Sequence, residues 1–145
     1  ENIQQIEINS EDELYIICED NIEEESVTSN ENKFCLYKIE FLNEDDYALH
    51  PLYKSPCSFN LIFSEEYALV IDDYGDLRIF SKDLKTLNIK HNLDILSNLS
   101  SCVLSDNILY FTLNCSFYIY ALNMKLFLEN SHEISRDNIR KKKLQ

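Results

Sequence analysis

The chain of 145 residues contains a single glycine, two prolines and no tryptophan. One glycine excludes collagen-like and Gly-rich linker segments. It also excludes phosphate-cradling P-loops and dinucleotide-binding turns, which need several glycines at fixed spacing. Cations are scarce as well, with 13 Lys+Arg against 26 Asp+Glu and a net charge of −13. No run approaches the ~18 apolar residues of a membrane-spanning helix. The N-terminus, Glu-Asn-Ile-Gln-Gln, lacks a basic segment followed by an apolar one, so no secretory leader is visible. What is abundant is apolar material, 45% hydrophobic and 12% aromatic, enough for a core in one domain of ordinary size.

The five cysteines (Cys18, Cys35, Cys57, Cys102 and Cys115) form no CxxC pair, and each lies in or beside an apolar run. That pattern points to reduced thiols in an intracellular compartment, cytoplasm or nucleus, rather than to zinc or redox chemistry. The sequons Asn98-Leu-Ser100 and Asn114-Cys-Ser116 are expected by chance in an Asn-rich chain. His50, His91 and His132 recur at intervals of 41 without Cys or acidic partners at ligand spacing, so a repeated structural position explains them better than a metal site. Neither a metal nor a cofactor is expected.

Charge is unevenly spread. Residues 136–145 carry Arg136, Arg140, Lys141, Lys142 and Lys143 against Asp137 alone. An acidic body repels phosphate backbones, so nucleic-acid contact is expected only from this tail, if anywhere.

Short apolar runs of strand length alternate with polar turns: Leu14–Cys18, Phe34–Tyr37, Phe59–Phe63, Ala68–Ile71, Leu77–Phe80, Ile108–Leu113 and Phe117–Leu122. Several are apolar on both faces, which predicts sheets stacked on sheets. A repeat underlies them. Lys33–Tyr37, Asp76–Phe80 and Ser116–Tyr120 share a polar, apolar, variable, aliphatic, aromatic order at offsets of 43 and 40. Tyr67–Ile71 falls on Asn107–Phe111 at an offset of 40.

The pattern resembles the WD40 repeats of β-propellers. From His50, the segment Ser58–Ser64, Glu65–Ile71 and Asp72–Ser81 is similar to one such repeat, with Phe80-Ser81 where the family has Trp-Asp. The repeat opening at His91 ends at Tyr120-Ala121, and the first ends at Tyr37-Lys38. Leu49, Lys90 and Ser131 stand where the family has glycine. The resemblance implies an all-β fold of about three four-stranded antiparallel blades, part of a larger propeller. The blades are placed at 1–54, 55–91 and 92–130, with a basic tail or short helix at 131–145. Their strands are expected near 3–9, 13–19, 33–39 and 46–53, then 58–63, 67–72, 77–81 and 85–90, then 100–105, 108–113, 117–122 and 125–128. Tyr37, Phe80 and Tyr120 are expected to fill the space between blades.

Three blades are too few to close a ring, so the terminal blades would each leave an apolar face uncovered. Other protein subunits would complete the propeller, or two copies would combine. No nucleophile elbow, HExxH or paired-carboxylate signature appears. The implied function is therefore a non-catalytic protein-interaction scaffold or adaptor within an intracellular multiprotein complex, not an enzyme and not a membrane protein. The alternative is a non-catalytic propeller subunit supporting a nucleic-acid-acting enzyme in RNA processing or modification, motivated by the basic tail. A third reading places a small ligand in a central channel. Candidate interface residues are Tyr53, Lys54, Asp73, Tyr74 and Asn114, which fall at predicted turns, with the acidic insertion Glu19–Glu31 as a surface loop.

Overall fold

In a computed structural model of the chain, residues 2–19, 33–129 and 139–143 are described. They form twelve strands: β1 (Asn2–Ile8), β2 (Leu14–Glu19), β3 (Phe34–Asn43), β4 (Asp46–Ser55), β5 (Phe59–Phe63), β6 (Tyr67–Asp72), β7 (Asp76–Ser81), β8 (Leu87–Asn92), β9 (Leu99–Ser105), β10 (Ile108–Leu113), β11 (Tyr118–Asn123) and β12 (Ile139–Lys143). A 3-10 helix (Asp94–Asn98) precedes β9, and one α-helix, α1 (Met124–Glu129), follows β11. The strands make three four-stranded antiparallel sheets, in the orders β1-β2-β3-β4, β5-β6-β7-β8 and β9-β10-β11-β12. The expectation of an all-β chain with three such sheets holds.

The second sheet lies between the other two, and the period of two along β6 explains how. Tyr67, Leu69 and Ile71 point one way, into a core shared with Leu109, Phe111, Tyr120 and Leu122 of the third sheet. Ala68 and Val70 point the other way, into a core shared with Tyr15, Ile17 and Leu36 of the first. Every residue of β6 is therefore buried, as a strand covered on both faces must be. Leu93 and Leu96, flanking and within the 3-10 helix, close the base of the larger core.

Gly75 makes the β6–β7 turn possible. Its φ is +83°, and a Cβ there would lie 2.4 Å from the Leu93 carbonyl oxygen. Its own carbonyl accepts the Leu93 N–H at 2.9 Å, so this turn fixes the start of the 3-10 helix.

The third sheet departs from expectation in two ways. Residues 125–128 are helical rather than a strand, starting where Asn123 Oδ1 accepts the Lys125 N–H at 3.0 Å. The fourth strand is instead β12, within the segment expected to be a tail or short helix; it pairs antiparallel with β11, Arg140 opposite Ala121. The offset of 40 between β6 and β10 is also corrected. Leu69 faces the third sheet, whereas Leu109 faces the second. Equivalent faces thus require an odd offset, because a one-residue slip turns every side chain over. Between β7 and β11 the even offset survives: Phe80 and Tyr120 both face the preceding sheet. Phe80 meets Tyr53 edge-on, and Tyr120 stacks on Phe111 at 5.2 Å. Tyr37 does not lie between two of the described sheets. It pairs with Ile16 on the face of the first sheet turned away from the second.

Candidate functional site

The rim at the β6–β7 turn carries the densest polar arrangement. Asp72 is 4% exposed, and its Oδ1 accepts the N–H groups of Tyr74 (3.0 Å) and Asp76 (3.1 Å). Its Oδ2 accepts from Arg78 Nη1 at 2.7 Å. Arg78 also reaches Asp76 and lies 5.7 Å from the centre of the Tyr53 ring. Burial opposes the guanidinium charge, but the hydrogen bond to Asp72 and the fields of Tyr53, Asp72 and Asp76 outweigh it and raise the pKa. Asp72, Asp76 and Arg78 thus form a paired network that holds the turn.

The expected interface residues divide around this network. Asp73 and Tyr74 are exposed on the turn itself, Tyr74 at 66%. Burial, and then the Asp72 carboxylate, push the Asp73 pKa up. Asn114 is exposed in the corresponding turn between β10 and β11, its N–H donating to the Asn98 carbonyl. Lys54 is exposed on β4. Tyr53 is a packing residue, half-buried against Phe59 and Phe80 between the first two sheets. Of the basic tail, Arg140, Lys141, Lys142 and Lys143 lie on the outer strand β12, with Lys141 4.9 Å from the centre of the Tyr118 ring. Arg136, and all of the acidic insertion except Glu19, lie outside the described residues.

Two open cavities follow the first strands of the sheets. One, of about 440 Å³, is lined by Ile8 and Ser10, by Glu65 and Glu66, and by Asp106 and Asn107, so it joins the turns of all three sheets. The other, also about 440 Å³, runs between β1, β5 and β9 past Gln5, Glu7, Asn60 and Cys102. Gln5 bridges two sheets there. Its Nε2 donates to the Leu61 carbonyl at 3.1 Å, and its Oε1 receives the Leu61 N–H at 3.5 Å. Cys102 is the titratable thiol of this groove. Burial, and then the charge of Glu7, push it up to about 11, which keeps it protonated and a poor nucleophile at neutral pH. The described residues contain no group of three or more His, Cys, Asp and Glu placed to hold a metal ion. No helix among them is long and apolar enough to cross a membrane.

The outward faces of the first and third sheets carry exposed apolar side chains, although Ile16, Cys18 and Cys35 on the outward face of the first are buried. On the first sheet, Gln5 and Glu7 point toward the second sheet, while Ile6 and Ile8 point outward, each 60% exposed. Ile3 (57%), Phe41 (67%) and Tyr47 (58%) share that outward face. The signal was present in Ile6-Glu-Ile8: its alternation is that of a strand whose apolar side faces away from the second sheet. On the third sheet the outward face carries Val103 (59%), Tyr110 (37%) and Ile119 (39%), with Arg140 and Lys142 in register beside them.

Comparison of the chain with protein-family models, with curated proteins and with solved structures returns no match. The class defined by the structure is thus an all-β stack of three antiparallel four-stranded sheets.

Proposed function

We propose that this chain is a non-catalytic protein–protein interaction scaffold, a WD40-like propeller portion within an intracellular multiprotein complex. One observation carries the reading: large apolar side chains stand exposed on the outward faces of the end sheets, Ile3, Ile6, Ile8, Phe41 and Tyr47 on the first and Val103, Tyr110 and Ile119 on the third. Apolar faces of this extent associate in water. The ~40-residue repeat supports the propeller kinship, since each blade of a propeller is covered on both faces by its neighbours. The groove thiol is held in its protonated form, and Asp72 is engaged by Arg78 and by the backbone of the turn. Affinity purification of the tagged protein from its native source tests the proposal. A stable assembly that is lost with Ile6→Lys is expected; recovery of the chain alone refutes it.

A second reading rests on β12, where four consecutive cations occupy an outer strand. It makes the chain a propeller subunit supporting a nucleic-acid-acting enzyme. Replacing Lys141, Lys142 and Lys143 by Gln then lowers RNA affinity and flattens its salt dependence. Unchanged binding removes this reading.

A further inference from the structure

The strand β5 lies at the edge of its sheet: among the described residues its one strand neighbour is β6. The groove between β1, β5 and β9 runs along its other edge. Backbone groups alternate between the two edges of a strand. At the ends of β5, the Ser58 carbonyl accepts the Asp73 N–H at 3.1 Å, and the Ser64 N–H donates to the Tyr67 carbonyl at 2.9 Å. Even-numbered positions therefore turn to β6, and the N–H and C=O groups of Phe59, Leu61 and Phe63 turn to the groove.

What meets Leu61 there is a side chain rather than a strand. Gln5 Oε1 accepts the Leu61 N–H at 3.5 Å, and Gln5 Nε2 donates to the Leu61 carbonyl at 3.1 Å. These are the two bonds that a residue of an antiparallel strand exchanges with the residue opposite. The same Nε2 donates to Glu7 Oε1 at 2.7 Å. One carboxamide thus makes the contacts of a peptide group and of a donor side chain together. It covers an edge position that otherwise recruits another strand.

Glu7 is the charged side chain among the described residues lining the groove. Cys102, on the opposite wall, feels its charge, so the carboxylate acts across the groove. A strand residue placed opposite Leu61 carries its side chain on the same face as Leu61, which is turned toward the first sheet and Glu7. Its neighbours point the other way, toward Cys102 and Leu104 of the third sheet.

We propose that the groove binds an extended peptide by strand addition to β5, a basic residue of the peptide displacing Gln5 from Leu61 and pairing with Glu7. The site is separate from the outward sheet faces on which the scaffold reading stands, so each can fail without the other.

The test is fluorescence anisotropy with a labelled peptide, Thr-Val-Arg-Val-Thr, capped at both ends, with circular dichroism confirming that each variant is folded. Saturable binding by the wild type is expected. Gln in place of the peptide's Arg is expected to weaken it about tenfold, and Glu7→Gln is expected to abolish that difference. Gln5→Ala removes the competing carboxamide and is expected to tighten binding about fivefold. N-methylation of the arginine's amide deletes one N–H and leaves the charge, and it is expected to weaken binding about tenfold or more. Hydrogen exchange at the Leu61 amide is expected to slow when the unmethylated peptide binds. No saturable binding by the wild type overturns the proposal, as does an affinity unmoved by Glu7→Gln. A methylated peptide that binds as well as its parent overturns it too, because the net charge of −13 alone would then hold the cation.

Discussion

Replacing Gly75 by alanine perturbs the structure at one methyl group, and its cost can be assembled from the geometry. The residue sits at φ +83°, where an L side chain is disfavoured by about 1 kcal/mol. The added Cβ would stand 2.4 Å from the Leu93 carbonyl oxygen and 3.3 Å from the Ser97 backbone nitrogen, and neither is a side chain that can swing aside. The 3-10 helix must therefore shift. That strains the core around Leu93 and Leu96, an overpacking cost of about 1–3 kcal/mol. The shift also weakens the 2.9 Å hydrogen bond from the Leu93 N–H to the Gly75 carbonyl, worth about 1 kcal/mol. Together the loss is about 3–5 kcal/mol, a large part of the roughly 5–15 kcal/mol that holds a domain folded. At this chain length it corresponds to a melting temperature lower by roughly 10–15 °C. Urea unfolding monitored by tyrosine fluorescence, the chain having nine tyrosines and no tryptophan, measures it directly. A loss below about 1 kcal/mol would refute the assignment of Gly75 as the fixed point between turn and helix.

Leu84 is buried at 3% yet held at φ +63°, so packing and backbone preference oppose each other there. Leu84→Gly, which relieves the backbone, is expected to be about 1 kcal/mol less destabilising than Leu84→Ala, the reverse of the usual order, as read by chemical denaturation. Asp72→Ala strips the partner from a largely buried Arg78 and is expected to cost about 3–5 kcal/mol in the same assay. With a thiol-alkylating reagent at pH 8, Cys115, which is exposed, is expected to react well ahead of Cys102 by mass spectrometry. Glu7→Gln is expected to speed Cys102 by removing a charge that disfavours its thiolate. The Lys82 hydrogen bond, and then its charge, hold the Glu11 carboxyl below its ordinary 4.5. A lowered folded-state pKa adds stability above the unfolded value that disappears as pH falls through the folded one. Lys82→Ala is expected to return Glu11 to its ordinary range in an NMR titration.

Much of this fold could be read from residue order, for physical reasons that differ by element. β6 declared itself because Ala68-Leu-Val-Ile71 is apolar on both faces, which only a doubly covered strand requires. The β6–β7 turn was visible in Asp72-Asp-Tyr-Gly75, where glycine supplies the positive φ. β12 could not be seen: Ile139-Arg-Lys-Lys-Lys143 has almost no apolar content, and its strand form comes from pairing with β11. The helix after β11 was mistaken for a strand because Leu126-Phe-Leu128 is a short apolar run, yet Asn123 before it was a legible N-terminal cap. Tyr53 fell at a predicted turn, but its ring packs inward because β4 runs to Ser55. The end faces were legible in part: Ile6-Glu-Ile8 shows an apolar side turned away from the second sheet, but the burial of Ile16, Cys18 and Cys35 on that same side depends on what lies over it, which no local pattern carries.

On the proposed scaffold reading, the exposed apolar side chains of the end sheets form the assembly surface of the protein. The most direct test of this reading is the native mass of the assembly formed in the protein's own source, for the wild type and for Ile6→Lys combined with Val103→Lys. Both positions are mostly solvent-exposed in the single chain, so the double variant is expected to keep its secondary structure and its stability. Loss of the assembly, leaving a folded single chain, is the predicted result. An assembly of unchanged mass would contradict the account.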